Sequence, residues 1–392
     1  MRPRLKPLNE QVIVITGATS GIGLTTARMA ADRGARVVLG ARDGEALVRI
    51  VEHIRRTGGE ADFAEVDVAD EMQLRLLAEV ALHRFGRIDS WVNNAGVSVY
   101  GRLLETPDRD HRRLFETNYW GVVHGSRVAV EHLADEGGAL INVGSSVGDR
   151  AIPLQGAYCA TKHAVKGFTN ALRMELEADG LPVSVTLVKP GVIDTRYEAN
   201  ARVLTGAEPM NPPPVYAPET VARAILHAAQ HPVRDVIVGS GGKLLSMSET
   251  WAPRLADMVM ERFLIPWQQS GGDVEGHRDT LYRAGDGGWQ RGTRHDFVRE
   301  RSFYTMASLH PLASAAVLAG AAALAYAAFG GGRERIAAGF RGRRTAVSGA
   351  AYARYDTDEA RRQARTVHRF RYPGEPEAVE GARRHETAEV SR

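Results

Sequence analysis

The chain has 392 residues, with 50 Lys and Arg against 47 Asp and Glu, and 44% of its residues are hydrophobic. This length suits two or three structural units, and the composition excludes collagen-like and wholly disordered chains. Residues 331–392 carry 14 Arg and 9 acids, so the net charge of +3 belongs to the tail and the preceding body is nearly neutral. We therefore expect no nucleic acid partner, and the single cysteine, Cys159, excludes an internal disulfide.

Apolar runs of strand length alternate with amphipathic stretches from residue 11 to about residue 239. The runs are rich in Val and Ile and apolar on both faces, which is typical of a parallel sheet covered on both sides. The predicted strands are 11–16, 36–40, 61–66, 90–93, 139–143, 183–188 and 235–238. The predicted helices are 24–33, 45–56, 71–85, 108–133, 157–178 and 218–231. This alternation predicts a doubly wound α/β fold of the Rossmann type over residues 8–240.

Three further segments follow the predicted sheet. Residues 241–308 are expected to form a helical and irregular extension, residues 309–330 a hydrophobic segment, and residues 331–392 a disordered Arg-rich tail. The stretch 312–329 contains ten Ala and would measure about 27 Å as a helix, just short of the bilayer core. A C-terminal membrane anchor and an Ala-rich helix packed on the body are therefore alternative interpretations.

A glycine-rich turn joins the first predicted strand to the first helix. It reads Thr16-Gly17-Ala18-Thr19-Ser20-Gly21-Ile22-Gly23. Gly17 allows a tight turn, Gly21 lets the backbone approach a pyrophosphate, and Gly23 permits close packing of helix and strand. The helix N-terminus adds free N–H groups and the positive end of its dipole. The turn therefore predicts a dinucleotide site.

Tyr158 and Lys162 lie four residues apart on a predicted helix and so share one face. A free phenol, with a pKa of about 10, is a poor base near neutral pH. A nearby ammonium favours the phenolate, so this pair predicts a tyrosine poised for proton transfer.

These motifs together resemble the short-chain dehydrogenase/reductase family over roughly residues 8–240. The resemblance rests on the Gly-x-x-x-Gly-x-Gly turn, the Tyr-x-x-x-Lys pair, Asn93-Asn94-Ala95-Gly96, Asp67, and Pro190-Gly191-Val192-Ile193-Asp194-Thr195. It implies an oxidoreductase that interconverts an alcohol and a ketone or aldehyde with a nicotinamide dinucleotide, commonly as a dimer or tetramer. Such a catalytic domain is expected in the cytoplasm, where NADP(H) is available.

The resemblance also implies roles for individual residues. The implied catalytic residues are Asn118, Ser145, Tyr158 and Lys162, with Ser146 as an alternative to Ser145. Asp67 and Val68 would flank the adenine, Asn94 and Ala95 the adenosine, and Val192 and Thr195 the nicotinamide amide. The implied cofactor-binding set is Gly17, Thr19, Ser20, Gly21, Ile22, Gly23, Arg42, Asp67, Val68, Asn94, Ala95, Gly96, Tyr158, Lys162, Pro190, Gly191, Val192 and Thr195.

The end of the second predicted strand bears on the choice of cofactor. Ala41 stands where NAD-preferring members of the family place Asp, and Arg42 can pair with a 2′-phosphate. We therefore expect a preference for NADP(H) over NAD(H). Ser20 departs from this pattern, because many NADP-preferring relatives carry a basic residue there.

Two other function classes are weighed against the enzyme. A dinucleotide-binding scaffold without turnover need not keep all four catalytic residues, and the glycine spacing disfavours a sugar-nucleotide epimerase. His227 and His231 lack a third ligand, so no metal site is predicted. The expected substrate pocket is built from residues 98–103, 149–155 and a lid-like loop at 199–214, with the helix of Trp251 as a further candidate. These segments are mostly apolar, which favours a lipophilic substrate.

Overall fold

The computed structural model describes residues 3–269, 272, 278–293 and 297–339, with side chains to residue 326. Its main strands are β1 (Val12–Thr16), β2 (Arg36–Ala41), β3 (Glu60–Glu65), β4 (Ser90–Asn93), β6 (Gly138–Val143), β7 (Val183–Pro190) and β9 (Asp235–Val238). They form one parallel sheet in the order β3-β2-β1-β4-β6-β7-β9. Two short strands, β5 (Val99–Tyr100) and β8 (Arg202–Val203), pair separately. The predicted Rossmann-type sheet is confirmed.

Helices cover both faces of this sheet. They are α1 (Gly21–Ala31), α2 (Gly44–Arg56), α3 (Glu71–Phe85), α4 (Asp108–Phe115), α5 (Gly121–Leu133), α6 (Gly156–Ala178), α7 (Tyr197–Asn200) and α8 (Pro218–Ala228). Ile13 and Ile15 of β1 pack into one apolar layer, whereas Val12 and Val14 pack into the other. This explains why the strands are apolar on both faces. The predicted single helix over 108–133 is wrong in one respect, because the π-helical turn Glu116–Trp120 separates α4 from α5.

The C-terminal extension begins with a helical arm, which we define as residues 240–268. The arm consists of α9 (Ser240–Trp251), α10 (Pro253–Val259), the π-helical turn Met260–Leu264 and α11 (Ile265–Gln268). Residues 278–293, which we name the strap, contain no helix or strand and return to the sheet. Sheet, arm and strap belong to one compact unit, Met1–Ala323.

Two helices end the described chain, α12 (Phe303–Leu309) and α13 (Pro311–Gly339). In this described part, no single helix is long and apolar enough to cross a membrane; Phe303–Leu309 and Pro311–Tyr326 reach that composition only as a pair bent by 113°. The anchor expected at 312–329 stays a prediction. Because Ala favours helix, α13 continues to Gly339, into the segment expected to be disordered. The rest of the predicted tail lies outside the described residues.

Candidate active site

A cleft of about 850 Å³ lies at the carboxyl ends of the strands. This edge is where open α/β sheets bind ligands, since the loops between strands and helices diverge there. Nearly all of the predicted site residues line this one cleft. The exceptions are Gly23, which packs against the turn, and Asn118, which is buried behind the cleft.

The glycine-rich turn has the backbone conformation that its sequence predicts. Gly17 and Gly21 have φ angles of 65° and 51°, which L side chains rarely adopt. A Cβ atom on Gly23 would lie 2.2 Å from the Gly17 carbonyl oxygen, so only glycine fits there. Asn94 braces the turn by donating from Nδ2 to the carbonyls of Thr16 and Gly17 at 3.0 and 3.1 Å. The result is a narrow backbone cradle that fits a pyrophosphate.

Two arginines and a carboxylate lie close together beside the ends of β2 and β3. Arg113 of α4 forms an ion pair with Asp67 at 2.5 Å. Arg42 donates to the carbonyl of Thr280 at 2.6 Å, and burial lowers the pKa of its guanidinium. Arg42 still carries its charge, because arginine is not deprotonated in proteins. Sequence reasoning missed Arg113, which has no motif around it.

The strap lies against the glycine-rich turn. The Gly21 N–H donates to the Trp289 carbonyl at 2.8 Å, and the Gly288 N–H donates to the Thr19 carbonyl at 2.8 Å. Leu281 is fully buried in an apolar cluster with Val97, Val99, Leu114 and Ala157. Thr280 and residues 284–286 also line the cleft. The extension therefore supplies a wall of the cleft beside the glycine-rich turn, which the sequence did not indicate.

Tyr158 and Lys162 lie on one face of α6, and the ammonium is 5.6 Å from the centre of the phenol ring. Lys162 donates to the Val143 carbonyl at 3.0 Å, which fixes its side chain at the end of β6. Burial lowers the pKa of Lys162 to about 8, so the ammonium remains charged at neutral pH. The spacing of four residues therefore places this cation beside the phenol.

Burial raises the pKa of the Tyr158 phenol, whereas hydrogen bonds with Ser145 and Tyr197 lower it. Ser145 follows β6 and caps a short helical turn, accepting from the Val147 N–H at 3.3 Å. Ser146 also lines the cleft, but its Cβ and Oγ lie beside Gly242 of the arm. The contact with Tyr158 favours Ser145 over Ser146 as the hydroxyl partner.

Tyr197 is a site residue that the sequence did not reveal. Its ring meets Tyr158 edge-on, with 5.5 Å between the ring centres. Its hydroxyl lies 2.7 Å from Ser98 Oγ and 3.0 Å from Gln155 Oε1. The loop predicted at 199–214 joins this network, because Asn211 bonds to Tyr100 at 3.1 Å. A polar network therefore lies next to the Tyr158 ring.

Asn118 lies at the centre of the π-helical turn rather than in regular helix. Its Oδ1 accepts from the Val97 N–H at 2.8 Å, and its Nδ2 donates to the Val97 carbonyl at 2.9 Å and to Thr161 at 3.1 Å. These contacts tie α6 to the loop after β4. π-Helical turns often occur at functional sites, and this one turns the carboxamide toward that loop.

Comparison with known proteins shows which family the chain belongs to. The family model for short chain dehydrogenases matches residues 11–203. An uncharacterized oxidoreductase of Bacillus subtilis, YxnA, is 46% identical over 309 residues, which cover 78% of this chain and 87% of the relative. The chain is a short-chain dehydrogenase/reductase. A putative oxidoreductase of Mycobacterium tuberculosis, SadH, is 32% identical over 60% of this chain and 89% of its own length.

A solved structure of the same family supports the fold. It is an alcohol dehydrogenase from the archaeon Thermococcus sibiricus complexed with 5-hydroxy-NADP, with 28% identity and a TM-score of 0.52. It matches 58% of this short-chain dehydrogenase/reductase and 95% of that chain. The match to YxnA is longer than the sheet domain, so it includes part of the extension. We conclude that the chain is an oxidoreductase with an NAD(P)-binding Rossmann fold.

Among the described residues, no group of three or more His, Cys, Asp or Glu side chains is placed to hold a metal ion. His227 and His231 stack with ring centres 4.3 Å apart, and His310 lies edge-on to His227 at 5.2 Å. Burial and the two neighbouring histidines lower the pKa of His227 to about 4. At neutral pH the His227 imidazole is therefore uncharged, and it packs against His231 and against His310, which follows α12.

Proposed function

We propose that this chain is an NADP(H)-dependent oxidoreductase that interconverts an alcohol and a ketone or aldehyde, with Tyr158 as the general acid and base. The observation that carries the proposal is the Tyr158 phenol with the Lys162 ammonium 5.6 Å from its ring centre, and Ser145 lining the same cleft. Reduction of a carbonyl substrate needs a proton donor and a second hydroxyl that polarises the carbonyl oxygen, and Tyr158 and Ser145 can provide them.

The glycine-rich turn supports a nicotinamide dinucleotide as cofactor. Glycine at positions 17, 21 and 23 keeps the turn free of side chains, so a pyrophosphate could approach its backbone. When bound, the nicotinamide would supply the hydride transfer. Lys162 would hold its ribose, Val192 and Thr195 its amide, and the turn its pyrophosphate. Arg42 would hold the 2′-phosphate, since Ala41 offers no carboxylate to a free 2′-hydroxyl.

The chain's own groups control the proton. Because burial raises the pKa of Tyr158, the phenol is protonated at neutral pH and can donate to a carbonyl oxygen during reduction. In the oxidation direction the phenolate must form, and the charged Lys162 ammonium favours it. Ser145 donates to the substrate oxygen as its charge changes. Asn118 would hold a water that links Lys162 to solvent.

The test is oxidation of NADPH and of NADH with a panel of ketones and aldehydes. We expect turnover with NADPH, a loss of at least a thousandfold in Tyr158→Phe, and unchanged NADPH binding in that variant. Tyr326→Phe removes an exposed hydroxyl far along α13 and serves as the matched control. Retained carbonyl reduction by folded Tyr158→Phe would contradict the mechanism. Binding of NADPH without turnover by the unmodified protein would favour the scaffold alternative.

A further inference from the structure

The arm lacks the buried apolar face that helices of globular proteins have. Of residues 240–268, only Gly242 and Gln268 are buried. Trp251 is 80% exposed and Phe263 66%. The exposed large apolar side chains of the arm are Leu244, Met247, Trp251, Leu255, Met258, Val259, Phe263 and Trp267. The part of the chain that the structure describes does not bury them, so the arm carries an apolar surface that no described residue covers.

This surface is continuous with the catalytic cleft. Leu244, Leu255, Val259, Phe263 and Trp267 line the cleft that holds Tyr158, yet each of them remains substantially exposed. The mouth of the cleft is therefore apolar, and it opens along the arm. Trp251 and Met258 do not line the cleft and extend the apolar surface beyond its mouth.

A second apolar element adjoins the base of the arm. The Gly239 N–H donates to Thr305 of α12 at 3.0 Å, which joins the two elements. Phe303 on α12 is 86% exposed, and Phe297 lies in a groove with Leu244. Residues 311–326 of α13 contain no charged side chain. Exposed apolar side chains therefore occur both on the arm and on α12, which adjoins its base.

We propose that the arm docks on a lipid bilayer and that the substrate is a lipophilic alcohol or ketone that reaches Tyr158 from the membrane. This inference rests on the proposed oxidoreductase function and names its substrate class. Indole rings at Trp251 and Trp267 suit the membrane interface, and the exposed Arg262 can reach lipid phosphates. Arg254 instead forms ion pairs with Asp257 and Glu261 within the arm. A bilayer would cover the arm and still leave a lipophilic molecule a path into the cleft.

Docking can be measured without any substrate. Cys159 is 1% exposed, so an engineered surface cysteine can be labelled selectively. Full-length Trp251→Cys carrying an environment-sensitive fluorophore is mixed with phosphatidylcholine vesicles, and we expect a blue shift as the label enters lipid. Met174→Cys is the matched control, because it is 64% exposed near the far end of α6, and its label should stay in water.

An unchanged spectrum at position 251 would overturn the proposal. So would a blue shift that needs no vesicles and accompanies a doubled mass in light scattering, because a second copy of the chain would then cover the arm. Neither result would affect the proposed function, which the turnover of water-soluble ketones tests separately.

The substrate route is tested with vesicle-borne and water-soluble ketones. In the double variant Trp251→Ser/Met258→Ser, we expect reduction of butan-2-one to stay within twofold and reduction of hexadecan-2-one in phosphatidylcholine vesicles to fall at least fivefold. An equal effect on both ketones would overturn the route. The route would also be overturned if the wild-type enzyme reduced water-soluble ketones but did not reduce any of a set of long-chain ketones in vesicles.

Discussion

The Arg42 guanidinium lies 2.6 Å from the carbonyl oxygen of Thr280, a residue 238 positions further along the chain. Arg42 also lies at the position where a 2′-phosphate is expected. The strap that contains Thr280 therefore contacts the side chain proposed to select the cofactor, and it contacts the glycine-rich turn as well. If Arg42 and the turn bind the cofactor as proposed, we expect cofactor binding and strap position to be linked through these shared groups.

Locking the strap should slow cofactor exchange. A Cβ atom on Gly287 would lie 3.2 Å from Thr19 Cβ, close to the spacing of a disulfide, but 2.4 Å from Ala46 Cβ. The variant Thr19→Cys/Ala46→Gly/Gly287→Cys removes that clash and can form the disulfide. We expect oxidised protein to bind NADPH at least tenfold more slowly in stopped-flow fluorescence. Protein loaded before oxidation should retain NADPH through gel filtration. The reduced form of the same protein is the control, and equal exchange rates in both forms would show that the strap does not gate the cleft.

Arg42→Asp should reverse the cofactor preference. Loss of a charge-assisted contact costs about 1.5–3 kcal/mol, so we expect the Kd for NADPH to rise roughly 10- to 100-fold. The Kd for NADH should fall, because a carboxylate can accept from a free 2′-hydroxyl. Arg49→Asp, on an exposed side chain of α2, is the matched control in the same titrations. A parallel loss of both cofactors would instead indicate that Arg42 only holds the strap.

Lys162→Met should abolish turnover and stabilise the apo-protein at neutral pH. Burial lowers the pKa of Lys162 from 10.5 to about 8, so its charged form is disfavoured in the folded state. Lys162→Met removes the cost of burying the ammonium but also loses the hydrogen bond to the Val143 carbonyl. Together these effects should raise the free energy of unfolding by about 1–2 kcal/mol at pH 7.

The pH dependence of this gain identifies its cause. Between pH 8 and 10.5 the unfolded state binds more protons at Lys162 than the folded state, so the wild type gains stability as pH rises. The advantage of Lys162→Met should therefore shrink over that window in denaturant titrations. A gain that does not vary with pH would point to packing rather than to the buried charge.

Tyr197→Phe should shift the pH profile of alcohol oxidation. The Tyr197 hydroxyl lowers the pKa of Tyr158, so its loss should move the limb of kcat/KM that requires the phenolate to higher pH, by about one unit. Tyr100→Phe is the matched control, because its hydroxyl bonds to Asn211. If Tyr197 only shapes the pocket, Tyr197→Phe will change KM, and the pH at which kcat/KM rises will stay the same.

The sequence by itself determined the sheet, the glycine-rich turn and the pairing of Tyr158 with Lys162, because all three depend on local patterns. Buried parallel strands must be apolar on both faces, and the predicted boundaries of β4 and β9 agree with the structure. Four residues along a helix bring two side chains together, which placed Lys162 beside Tyr158. A tight turn against a helix requires glycine, which marked Gly17 and Gly23.

Only the tertiary structure decided where the strap, Tyr197 and Arg113 lie. The strap is held in part by main-chain groups, such as the Gly21 N–H and the Trp289 carbonyl, which are the same at every residue. Its side-chain bonds, such as Arg28 to Gln290, join residues far apart in the chain. Their partners therefore leave no pattern in the sequence. Tyr197 and Tyr158 are 39 positions apart and meet only because β7 carries the chain back to the carboxyl edge of the sheet. Contacts of this kind depend on chain path rather than on residue spacing.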